Sequence, residues 1–328
     1  AARIEGSKSW AKMLMDKYEI PTARAKFFKK SSEAINHLEC LEDGTYVIKF
    51  DGLAAGKGVI LPETFDEARK TVTSILEGSA FGTGEKKILI EERMEGPELS
   101  VFAFVHGEYV SKEMAVCDYK RAHDGDIGPN TGGMGGYSPP EFWSKELQKI
   151  VRETILEPTA KAMVREDSAY SGILFAGLMI TDEGPKVIEF NCRFGDPECE
   201  LLMTGIETDI FPTIWAIANG RPDTIDIDWG ETSNVGVVMV SGGYPVKYKT
   251  GFPIYGLDAE MERVNVFHAG TVEGPDGETL TSGGRVLVVV GSGHDLADAR
   301  CRVYAGVDMI EFSNAHYRGD ICSRALKY

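Results

Sequence analysis

Apolar side chains at Trp10, Met13, Leu14 and Tyr18 recur at helical spacing behind Ser7, a residue type that caps helix N-termini. A helix is expected there, ended by Ile20-Pro21. A strand is expected over 46–50, followed by a glycine-rich loop over 51–58. Thr64 and Glu67 form a capping box ahead of Phe65, Ala68, Val72, Ile75 and Leu76, and Gly78 stops that helix. Two strands follow over 87–92 and 99–105.

From 118 to 140 periodicity fades and glycines accumulate, which predicts a long functional loop. A helix over 147–163, kinked at Pro158, precedes a hairpin of 172–180 and 186–193 around the turn 181–184. A helix over 208–219 is capped by Gly220. Past Arg221-Pro222-Asp223 the texture becomes β-rich, with strands over 235–240, 264–269 and 285–290 and a helix over 296–307. This places one domain over 1–230 and a smaller β-rich lobe over 231–328.

Composition narrows the function. The 328 residues carry 35 Lys and Arg against 51 Asp and Glu, a net charge of −16, which argues against a general nucleic-acid binder but leaves room for a local basic pocket. No apolar run reaches about 18 residues, so no membrane partner is expected. The six cysteines are scattered without a CxxC pair, which fits free thiols in a reducing cytoplasm.

Several familiar motifs fail. The glycine loop is one residue short of a Walker A loop, and Gly58 stands where Ser or Thr would hold magnesium. No GxGxxG, HExxH or GxSxG is present, and the histidines lack metal-ligand spacing. Four segments keep chemical content. In the first, strand alternation puts Glu189, Asn191 and Arg193 on one face: two hard oxygen donors suited to Mg²⁺ and a guanidinium suited to a phosphate. An exposed sheet face with a surface ion pair would show the same pattern. The second is Lys49 at a strand end beside Gly52, Gly56, Lys57 and Gly58, which suits a polyphosphate, though an ordinary tight turn with a solvated Lys57 reads alike. The third, Glu91 to Met94, could hinge two lobes or be a plain edge strand. The fourth joins Asp118, Lys120 and Arg121 to the glycines up to Gly136, and suits a small zwitterionic or phosphorylated substrate; a surface loop is the other reading.

Lys49, the glycine loop, the Glu91–Met94 hinge and Glu189-Phe190-Asn191 occur in an order that resembles the ATP-grasp ligases. The strings DGLAAGKGV, GPNTGGMG, KVIEFNCRFGDPE, FHAGT and GGRVL resemble the glycinamide ribonucleotide synthetase (phosphoribosylamine–glycine ligase) family along the whole chain. There are departures. Where that family usually shows QDHKR, this chain has Val116-Cys117-Asp118-Tyr119-Lys120-Arg121. Gly177 stands near where many ATP-grasp enzymes carry a second metal-binding Glu. The family's N-terminal domain with its glycine-rich first loop is not in this sequence, so a fragment is expected.

The resemblance implies an α/β (α+β) ATP-grasp fold with a mobile lid subdomain over about 21–92, followed by the β-rich C-terminal lobe. It implies ligation of glycine to phosphoribosylamine with ATP and Mg²⁺ or Mn²⁺; the sequence does not give the oligomeric state, and a monomer is the favoured expectation. Lys8 and Lys49 would contact ATP phosphates, and Gly52, Gly56, Lys57 and Gly58 would fold over them. Glu92 and Met94 would hold adenine through their backbones, and Glu98 the ribose. Glu189 and Asn191 would bind the metal. Arg193 would stabilise the moving phosphoryl group. Asp118, Lys120, Arg121, Asn130, Gly132, Gly133 and Asp196 would line the substrate side. A sister ligase with another substrate pair, or an ATP-binding fragment inactive by itself, would share most of these features.

Overall fold

The computed structural model describes residues 1–52, 58–78 and 86–326. Gly56 and Lys57 of the glycine loop lie outside the described residues. The chain divides into two compact units, each built from separated stretches: Ala1–Glu98, Phe104–Val110 and Glu146–Arg193 form one, and Leu99–Ala103, Ser111–Lys145 and Phe194–Tyr328 the other.

In the first unit an antiparallel sheet has the order Ala25–Phe28, Ile88–Glu92, Tyr46–Phe50, Val59–Ile60. Alternation sends Ile48, Ile88 and Ile90 into a core closed by Leu38 of the Ser31–Leu38 helix and by Val72 and Ile75 of the Phe65–Leu76 helix. The opposite face carries Val47, Lys49, Leu89 and Glu91, with Val47 opposite Glu91 and Lys49 opposite Leu89. The expected cap is present: Thr64 Oγ1 accepts from Glu67 N at 3.3 Å. Glu67 closes the box one residue early, accepting from Glu63 N at 3.0 Å.

The Lys8–Lys17 helix is capped by Ser7 as expected, but its buried face differs from the expected stripe. Ala11, Lys12, Leu14 and Met15 are inside, while Met13 is exposed. The expected helix kink at Pro158 is a π-turn at Arg152–Leu156, between the Lys145–Val151 and Glu157–Arg165 helices. Pro158 has no N–H for the regular ladder, and the looser turn lies just ahead of it.

The hairpin of Ser171–Thr181 and Gly184–Asn191 pairs Gly177 with Glu189 and Leu178 with Val187, so Ile188 is an extra, unpaired residue. The second strand ends at Asn191, not at Arg193. The expected three-residue face therefore stops after two members. The chain leaves the sheet there to enter the Gly195-Asp196-Pro197 turn ahead of the Glu198–Gly205 helix, an element whose apolar pattern is weak in the sequence.

In the second unit Ser100–Phe102 pairs with Met114–Asp118. The sheet continues through Gly135–Ser138, Ser233–Ser241, Arg285–Gly293 and Val264–His268. The Leu296–Val307 helix lies against it, capped by Asp295, which accepts from Asp298 N at 2.8 Å. A Cβ at Gly291 would stand 2.5 Å from Val303 N, so only glycine allows that approach. The segment 118–140, expected to be a loop, contains three short strands: Arg121–His123, Ile127–Asn130 and Gly135–Ser138. Their pairing is made by backbone groups at glycine-rich positions, which carry no alternating apolar signal.

Candidate active site

The strand Tyr46–Phe50 presents Lys49 on the sheet face away from the helical core, and Ile88–Glu92 presents Glu91 beside it. Both are buried, at 4% and 3% exposure. Lys49 Nζ lies 2.8 Å from Glu91 Oε2 and donates to Ile188 O at 3.1 Å. Lys12, 5% exposed, approaches the same carboxylate oxygen at 3.3 Å. It also donates to Thr22 Oγ1 at 2.6 Å and Ala23 O at 3.0 Å. Desolvation pulls Lys12 down to about 8, against the opposing pull of Glu91. The other oxygen of Glu91 is buried with no hydrogen-bond partner among the described residues. A buried acceptor with an open lone pair is costly unless a donor arrives.

The glycine loop is fastened at its start. Asp51 accepts from Ser9 N at 3.1 Å and from the hydroxyls of Ser9 and Ser7, at the N-terminus of the Lys8–Lys17 helix. Lys8 Nζ donates to Gly52 O at 3.1 Å. Lys8, Lys49, Gly52 and Gly58 thus belong to one unit, with Gly58 buried. In the hinge, Glu92 N donates to Arg24 O at 3.0 Å. The Glu92 carboxylate takes Arg24 Nε at 2.8 Å, and Arg24 holds it below the usual range against the opposing effect of burial. Met94 is half-buried and Glu98 exposed at the head of its strand.

Glu189 is exposed and Asn191 buried. A carboxylate and an amide oxygen two positions apart on one strand are hard donors that suit a cation retaining water and phosphate ligands, so the donor set fits a divalent ion of the Mg²⁺ type. Arg193 reaches back from beyond the strand end, with Nη2 donating to Asn191 Oδ1 at 3.5 Å and Nε 3.3 Å from Glu5 Oε1. Gly177 is the cross-strand partner of Glu189 and supplies no ligand. Among the described residues no group of three or more His, Cys, Asp or Glu could hold a metal.

The second unit gathers the remaining candidates. Asp118 ends its strand with Lys120 Nζ 3.7 Å from Oδ1. Thr131 N donates to Lys120 O at 2.8 Å, which folds the Gly132-Gly133 turn back toward this strand end. Arg121 and Asn130 are exposed and directly cross-strand; Arg121 Nη1 donates to Gly128 O at 2.8 Å. Two residues with no role in the sequence reading complete the cluster. Arg285, present there only within the string GGRVL, donates to Gly132 O at 2.8 Å and Asp196 O at 2.7 Å, and pairs with the Asp196 carboxylate at 2.9 Å. Glu198 is buried beside Asp118, Lys120 and Asp196; desolvation, then Asp118, pushes its carboxyl up to about 7.

Comparison with known proteins identifies the family. The family model "Phosphoribosylglycinamide synthetase, ATP-grasp (A) domain" matches residues 6–199, and "Phosphoribosylglycinamide synthetase, C domain" matches 234–324. The chloroplastic phosphoribosylamine–glycine ligase of Arabidopsis thaliana is 46% identical over 100% of this chain, which spans 62% of that relative's length. The enzyme of Halalkalibacterium halodurans is 44% identical over 99% of the chain, which spans 75% of it. The crystal structure of phosphoribosylamine–glycine ligase from Thermotoga maritima superimposes with a TM-score of 0.87 at 35% identity, covering 98% of this chain and 79% of that one. Biotin carboxylase from Campylobacter jejuni, at 15% identity and a TM-score of 0.69 over 94% of this chain and 67% of that one, shares the ATP-grasp fold alone. The chain belongs to the phosphoribosylamine–glycine ligase family of ATP-grasp enzymes, the ATP-dependent carbon–nitrogen ligases of purine biosynthesis.

Proposed function

We propose that this chain carries the nucleotide, metal and small-substrate chemistry of joining glycine to 5-phosphoribosylamine. The products are glycinamide ribonucleotide, ADP and phosphate. The observation that carries the reading is that Lys8, Lys49, Gly52, Glu189, Asn191 and Arg193 belong to one compact unit of a chain 44% identical to named ligases. The proposed division is an ATP-grasp domain over 1–230, with a lid over about 21–92, and a C-terminal domain over 231–328.

A carboxylate is a poor acyl donor, because its leaving group would be oxide. Attack of a glycine carboxylate oxygen on the γ-phosphorus breaks the β–γ phosphoanhydride bond and gives glycyl phosphate and ADP. The amine of phosphoribosylamine then attacks the acyl carbon, the C–O bond to phosphate breaks, and the nitrogen gives up a proton. Lys8 and Lys49 hold ATP phosphates, with Gly52 and Gly58 closing over them. The Glu92 and Met94 backbones hold adenine, and Glu98 the ribose. Arg193 neutralises charge on the transferring phosphoryl group, the main electrostatic demand of such transfers. Glu189 and Asn191 would hold Mg²⁺ or Mn²⁺, which supplies charge neutralisation at the phosphates. Asp118, Lys120, Arg121, Asn130, Gly132, Gly133 and Asp196 bind the two small substrates. A closed lid protects the acyl phosphate from water. The cysteines form no disulfide among the described residues and the reaction needs none of them, which fits a cytoplasmic enzyme. Its partners are these small molecules, without nucleic acid or membrane.

The test is ADP release from Mg-ATP with glycine, with and without phosphoribosylamine generated in situ. Release that needs both substrates supports the ligase. Release with a different acid or amine points to a sister ligase, and ATP binding without any turnover overturns the activity of this chain on its own.

A further inference from the structure

Glu91 has two ammonium partners on one oxygen where charge balance needs one. Lys49 Nζ stands 2.8 Å from Oε2 and Lys12 Nζ 3.3 Å from it, with all three side chains buried. The two lysines are held differently. Lys12 also has Thr22 Oγ1 at 2.6 Å and Ala23 O at 3.0 Å, and Thr22 is itself tied to Val187 O at 2.6 Å. Among the described residues Lys49 has, besides Glu91, the single carbonyl of Ile188 at 3.1 Å. Lys12 is therefore the anchored member of the pair, and Lys49 the one with less to lose by moving.

That asymmetry bears on nucleotide binding. A lysine that turns from a carboxylate to a phosphate leaves the carboxylate behind. A buried carboxylate stripped of its only counter-ion is strongly unfavourable, and the cost would be charged against nucleotide affinity. We infer that Lys12 is a standing counter-ion to Glu91, whose role is to let Lys49 leave that carboxylate for the phosphates of ATP. This rests on the assignment of Lys49 to the phosphates made above. Lys12 is a positioning residue in this scheme, acting on the nucleotide through Glu91 and Lys49. It was not legible as a site residue in the sequence, where it reads as one more polar position on a helix.

The role separates cleanly from simple cementing of the helix to the sheet. Cementing affects every ligand of the site alike, whereas a counter-ion that releases Lys49 matters only for ligands bearing phosphate. The experiment is calorimetric binding of ATP, ADP and adenosine to the whole chain, as wild type, Lys12→Met, Glu91→Gln and Lys12→Met/Glu91→Gln. Lys12→Met is expected to weaken ATP and ADP by at least about tenfold and adenosine by less than about twofold. The double variant, having no carboxylate to compensate, should differ from Glu91→Gln in ATP affinity by less than about twofold, a comparison that stands even where Lys12→Met alone fails to fold. Equal loss for adenosine and ATP, wild-type ATP affinity in Lys12→Met, or a further large drop in the double variant would each overturn the inference. Wild-type protein that binds no ATP would instead overturn the nucleotide reading, and the inference with it.

Discussion

Asp51 caps the Lys8–Lys17 helix from across the unit: it accepts from the N–H of Ser9 at 3.1 Å and from the same residue's hydroxyl. A carboxylate at a helix N-terminus satisfies orphan donors and complements the helix dipole, while its own backbone begins the glycine loop. Asp51→Ala should therefore lower stability by about 1–2 kcal/mol and raise the KM for ATP, with Asp51→Asn intermediate. Chemical denaturation and steady-state kinetics on the same preparations check both effects.

Glu189 is exposed and contributes no core packing. Glu189→Ala should abolish metal-dependent ADP formation while moving the thermal midpoint by no more than about 2 °C. Unchanged ADP formation in this variant would sink the metal assignment. Asn191→Ala removes a buried group and should cost both activity and stability.

Gly133 has φ +121°, and a Cβ there would stand 2.6 Å from Pro197 Cδ and 3.2 Å from Asp196 O. Gly133→Ala should destabilise the protein by about 1–3 kcal/mol, from backbone strain and overlap together. A variant as stable as wild type in urea titration would show that the two turns do not press on each other.

Glu198 titrates in the folded protein near 7, raised from 4.5 by burial and then by Asp118. A raised carboxyl binds its proton more tightly when folded, so its contribution is complete below the unfolded value. It is lost as pH rises through about 7. Wild type should lose up to about 3 kcal/mol relative to Glu198→Gln between pH 4.5 and 7, with other titrating groups cancelling in the difference. A flat difference across that window would place Glu198 at an ordinary value.

Arg285 ties Gly132 to Asp196 through a planar fork of donors that an ammonium cannot copy. Arg285→Lys should raise the KM of glycine or phosphoribosylamine by about tenfold and leave the KM of ATP near wild type. A matching rise for ATP would remove Arg285 from the substrate side.

What the sequence disclosed follows from which signals survive in one dimension. The Leu296–Val307 helix was readable to the residue because Asp295 and the apolar period agree. Lys49 was readable because a lysine inside an apolar strand beside glycines is unusual. Lys12 was not, because a lysine on an amphipathic helix is commonplace, and its burial depends on Glu91 arriving from a distant strand. The face shared by Glu189 and Asn191 was readable by alternation, yet Arg193 was placed on it wrongly because nothing local marks the strand's end at Asn191. Arg285 and Asp196 lie far apart in the chain, and no local pattern announces that they meet.

The scattered make-up of the second unit also governs how the chain can be born. Its sheet sets Gly135–Ser138 against Ser233–Ser241, and places Arg285–Gly293 between that strand and the earlier-made Val264–His268. During synthesis the Gly135–Ser138 edge emerges and waits, its backbone donors and acceptors unclaimed, until Ser233–Ser241 follows. Such a waiting edge is a template for the wrong neighbour, and long-range pairings of this kind close slowly. Truncation before residue 233 would strand it permanently, so nascent chains cut short there are expected to aggregate rather than yield a smaller working enzyme.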